Sequence, residues 1–235
     1  MKFLLTSAGV TNDSIRAALV NLLGKPIDQA TAICVPTAIY ASAEGTEHGW
    51  WTLNQFAGMG WQKFGVLELT ALPSILEEHW LPAVAAADII IVGGGTTGYL
   101  SYWFQESGFA AKLPELLKTK VYLGVSAGSM MVTHSLYVNP DVLAERGILY
   151  DDEYDEESPP QASSDKTLKL VDFVIRPHLN SEWFPNITLE RMEQAAARVD
   201  VPLYAIDDQT ALKVVDGQVE VVSEGAWQIF NAREQ

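Results

Sequence analysis

The sequence predicts a doubly wound α/β fold with a mostly parallel sheet and a C-terminal β-hairpin. Three observations predict it. Asp88–Val92 (Asp-Ile-Ile-Ile-Val) and Val121–Val125 are uninterrupted apolar runs of strand length, the pattern of parallel strands covered by helices on both faces. Strand-like and helix-like segments alternate from the N-terminus onward, as repeated βαβ units require. Near the C-terminus, Ala211–Val215 and Gln218–Val222 flank Asp216-Gly217, a two-residue connection that favours a tight hairpin because both positions tolerate positive φ.

Each element follows from local signals. Phe3–Thr6 reads as a strand. Thr11-Asn12-Asp13-Ser14 can cap a helix that runs through Leu23, with Gly24 as its stop and Pro26 beyond. Ala32–Val35 is a strand ended by Pro36, followed by a helix over about Thr46–Ala57 and a strand at Val66–Leu69. Pro73 opens a helix predicted to end near Ala87, just before the Asp88–Val92 run. After Val121–Val125, Ala127 to His134 can begin a helix. Further on, the pattern predicts a strand over Leu168–Ile175, a helix over Asn186–Arg198 and a strand at Leu203–Ile206. No internal repeat or linker divides the chain, so residues 1–235 are expected to form one domain.

Composition narrows the function. With 48% hydrophobic and 10% aromatic residues among 235, the chain can build a full core. Its formal charge of −15 repels phosphate backbones and anionic lipid, so neither nucleic acid nor a membrane surface is an expected partner. The single cysteine, Cys34, excludes an internal disulfide and a cysteine-rich zinc site, and a cytoplasmic location is expected. The run Asp151-Asp152-Glu153-Tyr154-Asp155-Glu156-Glu157 holds six of the 30 acidic residues. It reads as a solvated loop; it lacks the glycine and glutamate positions of an EF-hand calcium loop. No metal or cofactor is expected.

Gly124-Val125-Ser126-Ala127-Gly128 matches G-x-S-x-G at a strand-to-helix junction. A serine there needs small neighbours, because the backbone turns sharply, and the turn lifts its Oγ off the carboxyl edge of the sheet. The Ala127 N–H is left free to donate to an oxyanion. Gly93-Gly94-Gly95-Thr96-Thr97 ends the other apolar strand, at the sheet edge where α/β folds bind ligands. It lacks the G-K-[ST] ending of a P-loop, so the Gly95 N–H is read as a partner for the Ala127 N–H in an oxyanion hole. In both places, a glycine turn with only a structural role is the alternative.

A serine nucleophile needs a base, and the chain has four histidines. His48 and His79 lie in polar helical segments. His134 is eight residues past Ser126, about 12 Å along the same helix at 1.5 Å per residue. His178, after Ile175-Arg176-Pro177, sits at a strand end and is the base by elimination. Asp208, after the Leu203–Ile206 strand, and Asp141, fifteen residues past Ser126, are both candidates to orient the imidazole. Spacing does not choose between them, and either could instead cap a turn.

Taken together, Ala87-Asp88-Ile89-Ile90-Ile91-Val92-Gly93-Gly94-Gly95-Thr96-Thr97, then Gly124–Gly128, then Pro177-His178, resemble the peptidase E family of serine exopeptidases, which includes aspartyl dipeptidases. The similarity covers most of the chain, with the motifs in family order. It implies a flavodoxin-like fold of the class I glutamine amidotransferase kind, with Ser126 as nucleophile, His178 as base, and the Gly95 and Ala127 amides facing the oxyanion. The family offers a Glu at the position matching Asp208 and an Asp at the position matching Asp141; Asp208 is preferred for the end of its strand. Family members show Gly-Gly-Gly-Asn-Thr where this chain has Thr96, and Asn-Pro-His where it has Arg176-Pro177-His178. The arginine that binds a substrate aspartate in the family's dipeptidases falls at Leu189, leaving Arg176 or Arg191 to bind substrate in its place.

The expected activity is that of a serine exopeptidase acting on short peptides through an acyl-enzyme, as a monomer or homodimer. An esterase of α/β-hydrolase type and a non-catalytic binding protein on the same scaffold are the alternatives. The Trp50, Trp51 and Trp61 cluster reads as core or interface.

Overall fold

A computed structural model describes residues 1–41, 45–136 and 162–232, with residues 45–50 described by their backbone alone. Among the described residues ten strands form two sheets. In chain order they are β1 (Lys2–Thr6), β2 (Thr31–Val35), β3 (Lys63–Val66), β4 (Ile89–Val92), β5 (Val121–Val125), β6 (Val174–Arg176), β7 (Leu203–Ile206), β8 (Thr210–Val215), β9 (Gln218–Ser223) and β10 (Trp227–Phe230). The large sheet has the order β3-β2-β4-β5-β1-β8-β9; its first five strands are parallel, and β8 and β9 are antiparallel. The small sheet has the order β10-β7-β6, with β6 and β7 parallel. Asp216 and Gly217 both take positive φ (47° and 86°) in the β8–β9 turn, as a hairpin of matching twist requires.

The described helices are α1 (Asp13–Leu23), α2 (Gly45–Ala57), α3 (Leu81–Ala86), α4 (Thr97–Glu106), α5 (Phe109–Leu116), α6 (Ala127–Met130) and α7 (Leu189–Ala196). The Asn12 side chain accepts the Ile15 N–H at the start of α1, and Gly24 closes it at φ 69°. Strand residues alternate between two cores. Phe3, Leu5, Ile33, Val35, Ile90, Val92 and Tyr122 pack with Val84, Leu100, Phe104, Phe109 and Leu113 of α3, α4 and α5. Leu4, Ala32, Cys34, Ile89, Ile91 and Leu123 pack with Ile15, Leu19 and Leu22 of α1 and Phe56 of α2. This two-faced burial is what the continuous apolar strands imply. A third cluster joins Val174, Leu203 and Ala205 of the small sheet to Met192, Ala195 and Ala196 of α7. The other face of that sheet, Ile175 and Ile206, packs into the first core. Among the described residues no helix is long and apolar enough to cross a membrane.

Four elements differ from the sequence expectation, each for a local reason. The third strand is Lys63–Val66, not Val66–Leu69, because Glu68 accepts the Thr70 N–H and opens a 3₁₀ turn at Leu69–Ser74. The helix expected from Pro73 to Ala87 is broken into that turn, a second at Glu77–His79, and α3. Pro82 has no N–H and its ring disfavours a helical turn before it, so it stands in the first turn of α3, where no partner for that N–H is lost. The helix after the elbow stops at Met130 rather than His134. The Thr133 hydroxyl takes the Met130 carbonyl (2.6 Å), and the Leu168 and Leu170 amides take those of Met131 and Val132 (2.8 Å each). Those bonds also draw 168–171 out of the expected strand, which shrinks to Val174–Arg176.

Candidate active site

The site lies at the carboxyl ends of β4, β5 and β1, which are neighbours in the large sheet. Between β5 and α6 the backbone turns within one residue: Ser126 has φ 49° and ψ −113°, a conformation L-residues avoid. The turn is possible because of its glycines. A Cβ on Gly124 would lie 2.6 Å from the Ser129 Cα, and one on Gly128 would collide with the Val92 carbonyl. Hydrogen bonds then hold it. The Ser126 N–H and the Ser129 hydroxyl both donate to the Thr6 carbonyl (3.0 and 2.7 Å), and the buried Tyr122 hydroxyl donates to the Gly128 carbonyl (2.6 Å).

The glycine loop after β4 lies against this serine: a Cβ on Gly94 would sit 3.1 Å from the Ser126 Cβ and 3.7 Å from its Oγ. Gly95, at φ 133°, packs so tightly on the Ala38 carbonyl that any side chain would overlap it. The Thr96 N–H is used by that same carbonyl (2.9 Å), whereas the amides of Gly95 and Ala127 have no acceptor among the described residues.

His178 and Asp208 arrive from the small sheet, at the ends of the adjacent parallel strands β6 and β7. The strand before Asp208, β7, belongs to the second sheet and not to the one that carries Ser126, and the two sheets meet at the site. The His178 Nε2 is 2.9 Å from the Ser126 Oγ, and its Nδ1 is 2.6 Å from the Asp208 Oδ1. Burial alone would raise the Asp208 carboxyl. The hydrogen bond and charge of His178, with hydrogen bonds from Ser7 and Ser181, outweigh it and hold the carboxyl below its ordinary range. The ionised carboxylate only accepts, so Nδ1 carries the proton and Nε2 is left to accept from the Ser126 hydroxyl. Phe184 stacks on the imidazole, with centroids 4.2 Å apart and planes 11° from parallel. Asp207 does different work from its neighbour: it accepts the Gln209 N–H (3.0 Å) and the Thr210 hydroxyl (2.7 Å), shaping the turn that aims Asp208 inward.

The structure thus brings together Ser126, His178 and Asp208, with the Gly94–Gly95 loop alongside. Arg176 is buried in β6, and Arg191 is exposed in the first turn of α7. Asp141 and the acidic run 151–157 lie outside the described residues, as does the side chain of His48. His134, half-buried, sits near Asp172 (3.4 Å), and the exposed His79 sits near Glu78 (3.8 Å). Trp61 is core, its indole N–H donating to the Phe56 carbonyl (2.8 Å), while Trp51 is exposed. Sequence reasoning missed Ser7, Ser181 and Phe184. The last two lie in the loop after His178, where an aromatic residue near a candidate base was the available cue; Ser7 had none. Among the described residues no three His, Cys, Asp or Glu side chains converge as a metal would need.

Comparison with known proteins agrees with this architecture. A Listeria monocytogenes EGD-e protein whose crystal structure is reported under the peptidase E name superposes with a TM-score of 0.67 at 18% identity, covering 95% of this chain and 98% of that one. A peptidase from an acI-B1 Actinobacterium gives a TM-score of 0.62 at 18% identity, over 100% of this chain and 92% of that one. At these identities the likeness is one of fold. No curated protein matches the sequence significantly. The model of peptidase family S51 matches residues 3–222, nearly the whole chain, and so the protein belongs to family S51, the peptidase E family, and is a serine peptidase.

Proposed function

We propose that this protein is an exopeptidase of dipeptidase type, acting on short peptides through an acyl-enzyme, with residues 1–235 working as one domain. The observation that carries the proposal is the continuous chain of contacts from the Ser126 Oγ to the His178 Nε2 (2.9 Å) and from the His178 Nδ1 to Asp208 (2.6 Å). In this reading the Ser126 Oγ attacks the scissile carbonyl while the His178 Nε2 takes its proton. The Gly95 and Ala127 amides receive the oxyanion, and Asp208 stabilises the imidazolium. His178 then protonates the leaving amine, and a water molecule, deprotonated by the same imidazole, hydrolyses the ester on Ser126. The chain order Ser126, His178, Asp208 differs from the Ser, Asp/Glu, His order of α/β-hydrolase esterases. Of the two arginines considered for an acidic substrate side chain, Arg191 is the exposed one and takes that role here.

A dipeptide panel that includes Asp-X peptides tests the assignment. Wild type should hydrolyse some members, and Ser126→Ala should lower kcat by about 10,000-fold or more. Equal turnover by the two proteins would overturn it.

A further inference from the structure

Ser7 is fully buried directly after β1, at the strand end that pairs beside β5 (Thr6 opposite Val125). Its hydroxyl meets both partners of the imidazole pair at once. The main-chain N–H of His178 donates to the Ser7 Oγ (2.8 Å), and the Ser7 hydroxyl donates to the Asp208 Oδ1 (2.6 Å), the same oxygen that accepts from the His178 Nδ1. The directions are forced. An amide can only donate and a carboxylate only accept, so the single hydroxyl proton goes to Asp208. The Oγ also lies 3.4 Å from the Nδ1 itself.

The backbone at the histidine is held from both sides. His178 has φ 64°, in the left-handed region where a non-glycine residue is uncommon. Two further bonds restrain it: the Leu179 N–H to the Ile206 carbonyl (3.0 Å), and the Ser181 N–H to the His178 carbonyl (3.1 Å). Both act after the Cα. On the amino side, the His178 N–H donates to Ser7, a bond that ties the small sheet carrying the imidazole to the large sheet carrying Ser126.

We propose that Ser7 is a positioning residue: by bridging the His178 main chain and the Asp208 carboxylate it holds the imidazole in line between Ser126 and Asp208. The proposal rests on the triad assigned above. Among the described residues the pair is faced by Ser7 from just after β1, Ser126 from the β5 turn, and Ser181 and Phe184 from the loop after β6. Thr11 donates to the Asp208 carbonyl (2.8 Å), and the Asp207 carboxylate is engaged by its own turn. Among the described residues in contact with the imidazole, Asp208 is the charged one.

The test uses a fluorophosphonate probe, whose rate of labelling reports activation of Ser126 without a known peptide substrate. Ser7→Ala should lower kinact by 10- to 100-fold, the scale of a small misplacement of a reacting group, with KI changed less than threefold. The acid limb of kinact against pH should move to higher pH, because a carboxylate that has lost one donor holds the imidazolium proton more tightly. Ser7→Thr, which restores the hydroxyl, should recover most of the rate. If Ser7→Ala does not fold, Ser7→Cys keeps the volume and is judged by the same criteria. A kinact within threefold of wild type, or a loss with an unmoved acid limb, overturns the proposal. Ser126→Ala is run in parallel: persistent labelling there would sink the triad itself, whereas its silence beside a normal Ser7→Ala would sink only the bridge.

Discussion

Replacing Asp208 by Asn removes one negative charge from beside the imidazole and exchanges one carboxylate oxygen for an NH2 group. The Ser7 hydroxyl and the His178 Nδ1 both donate to one oxygen of Asp208, each at 2.6 Å. The amide oxygen of Asn satisfies both, so the Nδ1 proton and the ring orientation survive. What disappears is the attraction between the carboxylate and the imidazolium that forms when Ser126 gives up its proton. The Asp208 side chain is 35% exposed, so an effective dielectric constant of about 20 applies, and unit charges about 4 Å apart then attract by about 4 kcal/mol. At 1.36 kcal/mol per decade this corresponds to roughly a 1,000-fold loss in kcat. Asp141→Asn, the competing assignment, should change kcat by less than about threefold if Asp208 holds the role. Initial rates at saturating dipeptide, on variants whose circular dichroism matches wild type, make the comparison. A loss under tenfold for Asp208→Asn, or an equal loss for Asp141→Asn, would refute the reasoning.

Gly95→Ala places a methyl group on the Ala38 carbonyl from a backbone at φ 133°; the loop must shift, and loss of one oxyanion donor should cost about 100- to 1,000-fold in kcat. An alanine variant within threefold of wild type would take Gly95 out of the oxyanion site. The Asp208 carboxyl, held below its ordinary value of 3.8 by His178, Ser7 and Ser181 against the opposing effect of burial, stabilises the fold when ionised. That contribution is complete above the unfolded-state value and fades as pH falls through the lower folded-state value. Urea unfolding of Asp208→Asn below pH 4 should therefore show a shallower loss of stability than wild type, and parallel curves would contradict the linkage.

What the chain reveals of its fold follows the range of the interactions involved. The apolar runs Ile89–Val92 and Val121–Val125, the Asn12 and Gly24 caps, and the Asp216-Gly217 turn are decided by neighbours within a few residues, and the sequence displays them. The elbow is similar in part: Gly124 is needed by its close contact with Ser129 inside the turn, whereas Gly128 is needed by the Val92 carbonyl of β4. Other features depend on distant partners. The helix after Ser126 ends early because residues some 40 positions later take its carbonyls, and the second sheet exists because a three-residue strand, β6, finds β7. Ser7 is the extreme case. A single serine after a strand carries no local mark, and its partners are 171 and 201 residues away.

The division of the site between two sheets has a consequence for the order in which the protein is made. A chain growing from its N-terminus completes β1, β4, β5 and the elbow first. His178 follows Ser126 by 52 residues, and Asp208 comes a further 30 later. Until β6 and β7 have been synthesised and have docked Ile175 and Ile206 into the larger core, the serine has no imidazole beside it. Under the assignment proposed here, a nascent chain that has not yet reached β6 is chemically silent toward the peptides around it, and hydrolytic capacity arrives only once β6 and β7 are in place.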